Sequence, residues 1–166
     1  MKYQIRNAMP EDLPRIEEIY AYARRFMAEH GNPNQWGKTN PPIAQLEKDV
    51  ENGLLFVVLD ESGIHGVFYF YIGQDPTYDY MEDGSWSSHT PYGTIHRIAG
   101  DGRGGILKAA VEFCGKKIQH LRIDTHHDNI VMQKAVEKLG FRRRGIIYIA
   151  DGSPRIAYDR IREERP

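Results

Sequence analysis

The chain has 166 residues, is 40% hydrophobic and 27% charged, and carries a formal net charge of −1. These are globular values, read as a single domain over residues 1–166 with enough length for a sizeable core, and the near-zero charge gives no electrostatic case for a nucleic acid or an anionic membrane as partner. The one cysteine, Cys114, excludes an internal disulfide and a cysteine-based zinc site, no apolar run approaches the roughly 20 residues of a membrane span, and the charged start MKYQIRNAMPEDL has no signal-peptide core, so a cytoplasmic protein is expected.

Residues 3–6 read as a short first strand. Pro10, Glu11 and Asp12 then mark a helix start, because proline suits the first turn and two acids suit its dipole. Leu13, Ile16, Ile19, Tyr20, Ala23 and Met27 follow at helical spacing until Gly31-Asn32-Pro33 breaks the pattern. A loop over 32–42 contains Trp36, and a second short helix over 43–51 ends at Asn52-Gly53. Residues 54–59 are continuously apolar, as for a strand covered on both faces, and with a turn at 60–63 and a strand at 67–72 they read as a hairpin. A long polar loop over 73–92 is rich in Asp, Tyr and Ser. A strand at 94–99 precedes a helix striped by Leu107, Ala110, Val111, Cys114 and Ile118. A strand at 121–125 precedes another helix, carrying Met132, Ala135, Val136 and Leu139 and stopped by Gly140. Residues 145–149 and 155–158 flank Asp151-Gly152-Ser153-Pro154 as a final hairpin. Early strands thus pair in hairpins and late ones alternate with helices, which predicts an α/β fold with a mixed sheet and helices on both faces.

The densest chemical signal is IHRIAGDGRGGI at 95–106, where an apolar strand meets a turn of four glycines and one arginine and runs into an amphipathic helix. Glycines let amides crowd a ligand and a helix N-terminus adds partial positive charge, so a phosphate-bearing ligand is expected there. No Gly-Lys-Ser/Thr occurs, which excludes a Walker loop, and no first βαβ unit surrounds the turn as a dinucleotide fingerprint requires.

Farther on, Asp128-Asn129 opens a helix that ends in Leu139-Gly140-Phe141. Taken in order, PEDLPRIEEIY, the strand, glycine turn and helix around 99–113, and DNIVMQKAVEKLGF resemble the GNAT superfamily of acetyl-CoA-dependent N-acetyltransferases over nearly the whole chain. The resemblance implies a central mixed, mostly antiparallel sheet whose parallel strands 94–99 and 121–125 splay apart to receive a pantetheine arm. It implies acetyl-CoA as co-substrate and no metal. Ile98, Ala99, Gly100, Gly102, Gly104, Gly105 and Ile106 would line the cofactor, and Arg103 would add a charge-assisted contact. Asn129 matches the family's cofactor-contacting asparagine and reads equally as a helix N-cap. The chain departs from the family at Val136, where many members carry the tyrosine that protonates the leaving thiolate.

The implied reaction is direct attack, in a ternary complex, by a primary amine of a small molecule or peptide. The amine must lose a proton to a base, while proximity and an oxyanion donor supply much of the rest. Backbone N–H groups at the end of strand 94–99 are the candidate donors. His96, alternating with Thr94 and Ile98, and His126, just past the neighbouring strand, are the candidate bases, because imidazole titrates near neutrality; a structural role is the alternative for both. Tyr148 is the candidate replacement for the missing acid, against a role in sheet packing. A metal on adjacent His126 and His127 is rejected, since neighbours on a strand point to opposite faces. The acceptor is expected near 32–42 and 73–92, with Trp36 and Asp124 as contacts, and Asp75, Asp79, Glu82 and Asp83 favour a cationic amine. Tyr78, Tyr80 and Trp86 read alternatively as the contact of a homodimer. Two rival functions stay open: a non-catalytic CoA-binding or sensing module of the same fold, motivated by Val136, and a nucleotide-binding interaction domain built on the glycine turn.

Overall fold

The computed structural model describes residues 2–162. Strands β1 (Gln4–Asn7), β2 (Leu55–Asp60), β3 (Gly63–Ile72), β4 (Gly93–Gly100), β5 (His120–Thr125), β6 (Arg142–Tyr148) and β7 (Pro154–Ile161) form one sheet in the order β1-β2-β3-β4-β5-β7-β6. Every neighbouring pair is antiparallel except β4 and β5, which are parallel and joined through a helical crossover. The helices are α1 (Leu13–Glu29), α2 (Ile43–Glu51), α3 (Ile106–Gly115) and α4 (Ile130–Lys138). None of the described helices is long and apolar enough to cross a membrane.

The two-residue period of the strands builds two cores. Val57 and Val67 face one way and pack with Ile16, Ile19, Tyr20 and Leu46 of α1 and α2. Val58 and Phe68, one residue along, face the other way and pack with Ala110, Val111 and Cys114 of α3 and Val136 of α4. A third cluster, Tyr78, Trp86, Tyr92, Ile147 and Ala157, lies under the connection 73–92.

The predicted order of elements holds, and the differences lie at their ends. Pro10–Asp12 is a 3-10 turn, and α1 proper begins at Leu13. Asp12 shapes that entry by accepting the Met9 N–H at 2.8 Å and pairing with Arg6 at 2.7 Å. β3 reaches back to Gly63 through a register shift at Val58/Leu59, which hides its period in the sequence. β6 begins at Arg142, three residues before the apolar signal, because an edge strand can carry the charged run Arg142-Arg143-Arg144. α3 stops at Gly115, so Ile118 packs from the following turn rather than from the helix.

Candidate active site

The β4–β5 ladder holds for only two residue pairs, Gly93 with Leu121 and Thr94 with Arg122. Beyond them the strands part and the edge of β4 from Ile95 to Gly100 has no ladder partner on that side. One cause lies within β4. The register to β3 jumps from Tyr69–His96 to Val67–Ala99, so Arg97 and Ile98 together oppose Phe68 and form a bulge. Arg97 sits at φ 51°, a left-handed conformation that costs a non-glycine residue on the order of 1–3 kcal/mol. Three elements hold it there. The Tyr20 hydroxyl of α1 donates to the Arg97 carbonyl at 2.7 Å, Asp49 of α2 pairs with the guanidinium, and Tyr69 of β3 stacks beneath it at 4.7 Å.

The opening is a cleft of about 370 Å³. Ile98, Ala99, Gly100, Gly102, Gly104, Gly105 and Ile106 line it from one side, with Asp124, Asn129, Met132 and Ala135 across from them and Gln35 and Trp36 above. At its mouth Gly105 is the N-cap of α3 with φ 77°, and Gly104 has φ 86° with open space where a Cβ would stand. Only glycine adopts this pair of conformations cheaply, and the outcome is a helix start whose amides face outward. Among the described residues no backbone carbonyl accepts from the amides of Gly104, Gly105, Ile106 or Leu107. Asn129 is the N-cap of α4: its Oδ1 accepts the Met132 N–H at 3.0 Å, while its side chain lines the cleft and donates to Gln35 Oε1 at 3.0 Å.

Arg103 does not reach this cleft. Its guanidinium is paired with Asp60 at the end of β2 at 2.7 Å, which corrects the expected phosphate contact. The turn is instead braced from behind. His65 lies between Asp60 at 2.9 Å and Asp101 at 2.7 Å, Arg15 pairs with Asp101 at 2.9 Å, and the Tyr3 hydroxyl donates to the Gly104 carbonyl at 2.8 Å.

On the α1 and α2 side of the sheet, the parting strands expose a polar group. His96 Nε2 lies 2.9 Å from Asp75 Oδ2, and its Nδ1 lies 3.6 Å from Asp124 Oδ2. That Asp124 oxygen accepts the Tyr78 hydroxyl at 2.6 Å, while Oδ1 has no hydrogen-bond partner among the described residues. Burial opposes the charge of Asp75, but the His96 hydrogen bond and charge, with the Thr77 N–H, outweigh it and hold this carboxyl below its ordinary pKa. The Tyr78 hydroxyl is raised well above its ordinary value by burial and by Asp124, so it stays a donor. Sequence reasoning named His96 and Asp124 but missed Tyr78, Arg97 and Gln35 as parts of the site; none carries a local signal.

Tyr78 and Trp86, read alternatively as a dimer contact, are covered within the chain itself. They are 2% and 9% exposed, because the connection 73–92 folds onto the sheet; Tyr80, at 64%, stays outside. The far end of that connection is fastened by Asp159, which is fully buried and accepts from Ser87 Oγ at 2.7 Å, Arg144 Nε at 2.6 Å and the Ser87 amide at 3.0 Å, with His120 at 2.8 Å. Beside it the Arg122 guanidinium is held between Trp86 and Tyr92, 4.1 and 3.7 Å from the ring centres.

His126 lies at the end of β5 and is 9% exposed. Its Nδ1 accepts the Asp128 amide hydrogen at 3.0 Å, and burial, with the charges of Arg155 and His127, pushes its pKa down against the pull of Asp128. The reason given against a metal fails here. β5 ends at Thr125, so His126 and His127 lie in a turn and stack 4.3 Å apart instead of facing opposite ways, and with Asp128 they bring possible ligand atoms within 4.8 Å of one another. Tyr148 is outside the cleft lining and gives its hydroxyl to Glu82. Val136 is 1% exposed in the core under α4.

No protein-family model and no curated protein matches the chain. Solved structures do. A GNAT-family acetyltransferase from Streptococcus agalactiae is 31% identical, with a TM-score of 0.87 over 98% of this chain and 96% of that one. A GNAT-family acetyltransferase from Listeria monocytogenes matches at 20% identity and TM-score 0.69, over 96% of this chain and 95% of that one. A phosphinothricin acetyltransferase from Sinorhizobium meliloti, solved with AcCoA, matches at 18% identity and TM-score 0.61, over 97% and 89% of the two chains.

Proposed function

Because the chain belongs to the GNAT family of acetyltransferases, we propose that it moves the acetyl group of acetyl-CoA to a primary amine by direct attack in a ternary complex. The observation that carries this reading is the parting of β4 and β5 after two residue pairs. It leaves a cleft with uncommitted helix amides at one end and Asp124 at the other, backed by His96.

The residues present suit that co-substrate, which supplies the activated acetyl thioester. The amides of Gly104 to Leu107, at the positive end of α3, bind a diphosphate. The unpaired edge of β4 between Ile95 and Gly100 offers main-chain groups to the pantetheine arm and a donor to the thioester oxygen. On the acceptor side, Asp124 Oδ1 holds the ammonium. Asp75 keeps the His96 proton on Nε2, so the lone pair of Nδ1 faces the Asp124 side and takes the proton that the amine loses. No side chain is assigned to protonate the leaving sulfur. Val136 has nothing to donate, Tyr148 is bound to Glu82, and an alkyl thiol with pKa near about 8.5 needs little help.

The test is release of free thiol from acetyl-CoA across a panel of amines, run beside calorimetric titration with acetyl-CoA. Amine-dependent release is the expected result. Tight binding with no release on any amine favours the second reading, a CoA-binding module without turnover, which the buried Val136 supports.

A further inference from the structure

Several guanidinium groups around the sheet are matched to a carboxylate: Arg97 to Asp49, Arg15 to Asp101, Arg103 to Asp60 and Arg144 to Asp159. Arg155 is not. It is 6% exposed, no carboxylate of the described residues lies within 4.0 Å of it, and no aromatic ring stacks on it as Trp86 and Tyr92 do on Arg122. Two of its five N–H groups are used, one on the neighbouring Pro154 carbonyl at 2.9 Å and one on the Gln35 carbonyl in a long contact of 3.4 Å. Burying a charge this deeply without a counter-charge is costly, and burial accordingly lowers the Arg155 pKa, with Asp124 and Asp151 opposing that only through their more distant charges.

The register of the sheet places Arg155 relative to the cleft. Asp124 pairs with Ala157 in the β5–β7 register, and Arg155 is two residues along the same strand. Asp124 and Arg155 therefore share a face as diagonal neighbours, about 7–8 Å apart at the backbone. Gln35, whose carbonyl Arg155 touches, lines the cleft with Asp124. His126 follows Thr125, the last β5 residue paired with β7, and feels the charge of Arg155. Because its Nδ1 accepts the Asp128 amide hydrogen, the neutral ring carries its proton on Nε2, which has no acceptor among the described residues.

We propose that Arg155 and the Nε2–H of His126 bind the carboxylate of the acceptor, and that the acceptor is an amino acid whose ammonium lies at Asp124 and His96. The proposal rests on the acetyl-transfer reading above and deepens it. It assigns His126 to substrate binding rather than to proton transfer, and it explains why one face of the sheet presents an unpartnered carboxylate oxygen and a guanidinium without a carboxylate as diagonal neighbours.

The experiment compares the twenty protein L-amino acids with the amines formed from them by decarboxylation, in the thiol-release assay with the intact chain. At least one amino acid should exceed its own amine in kcat/KM by roughly 10- to 100-fold, the size expected for hydrogen bonds to a charged group. Arg155→Met should erase most of that ratio, chiefly by raising KM for the amino acid, and Arg155→Lys should restore part of it as a point charge without the fork. Nuclear magnetic resonance titration of the preferred amino acid into the CoA-loaded protein gives a readout apart from turnover and should weaken in Arg155→Met by a similar factor. If amines without a carboxylate are acetylated as well as the amino acids are, acetyl transfer stands and this assignment falls. If no compound of either set releases thiol although acetyl-CoA binds, the acetyl-transfer reading itself falls. The wild-type comparison decides the matter even if the substituted chains fold poorly.

Discussion

His96 and His120 each hold an aspartate at hydrogen-bond distance, 2.9 Å to Asp75 and 2.8 Å to Asp159, at the two ends of the connection 73–92. The His96 side chain is 24% exposed and the His120 side chain 1%. At His120 everything is spent: Asp159 also takes Ser87 and Arg144, and the second ring nitrogen faces Thr90 at 3.2 Å. At His96 the second nitrogen looks across 3.6 Å toward a carboxylate with a free oxygen on the cleft. The same two side chains thus make a fastener in one place and the makings of a proton acceptor in the other. What separates them is unspent hydrogen-bonding capacity together with a path for a ligand.

Four substitutions break or sharpen that contrast. His96→Gln should lower kcat by about 10²–10⁴-fold, the usual worth of a positioned general base, with the melting temperature little changed. An equal loss of stability and turnover would make His96 a second fastener. Asp159→Asn should do the reverse, costing about 2–3 kcal/mol in chemical denaturation because it weakens the charge-assisted hydrogen bond from Arg144 and removes the carboxylate that accepts from Ser87 beside His120.

Asp159 also sets a pH dependence. Burial works against its charge, but the hydrogen bonds from His120, Ser87 and Arg144 outweigh this and hold its folded pKa far below the unfolded value of about 3.9. Its contribution is therefore present above that unfolded value and lost as pH falls through the folded one. The stability of Asp159→Asn should accordingly vary less than that of the wild type as pH is lowered from 7 to 3, measured by urea midpoints.

Gly104→Glu touches neither pair. It puts a side chain at φ 86° and a carboxylate at the α3 amides, and calorimetry should show acetyl-CoA affinity reduced by about 10- to 100-fold. Unchanged affinity would remove the proposed diphosphate site. Tyr148→Phe should have the smallest effect, within about twofold in kcat/KM, since its hydroxyl is engaged with Glu82 outside the cleft. A large loss there would restore Tyr148 as the acid that Val136 does not supply.

The acceptor side was the least legible part of the sequence. Loop 73–92 is polar and acidic in composition and reads as solvated, yet Asp159, Arg122 and Ala157, far along the chain, pull Tyr78, Trp86 and Tyr92 under cover. Arg103 was expected in the cleft because it lies among the glycines, but Asp60 at the end of β2 claims it. His126 and His127 were expected to diverge as strand neighbours, but β5 ends at Thr125, before either of them. Each of these outcomes depends on a partner about 30 or more residues away or on the last residue of an element, where local pattern carries little information.

What the amino-acid order determined on its own is the succession of elements, the two apolar faces of the sheet and the glycine turn at the head of α3. Those follow from side-chain period and from backbone conformations that contiguous residues either can or cannot adopt. Only the tertiary structure decided that β4 bulges at Arg97 under the grip of Tyr20, Asp49 and Tyr69, that β5 then parts from it, and that His96 rather than His120 is left with a nitrogen to spare. A hydrogen-bonding group is used up by whatever packing brings beside it, and that neighbour is a property of the fold, not of the adjacent sequence.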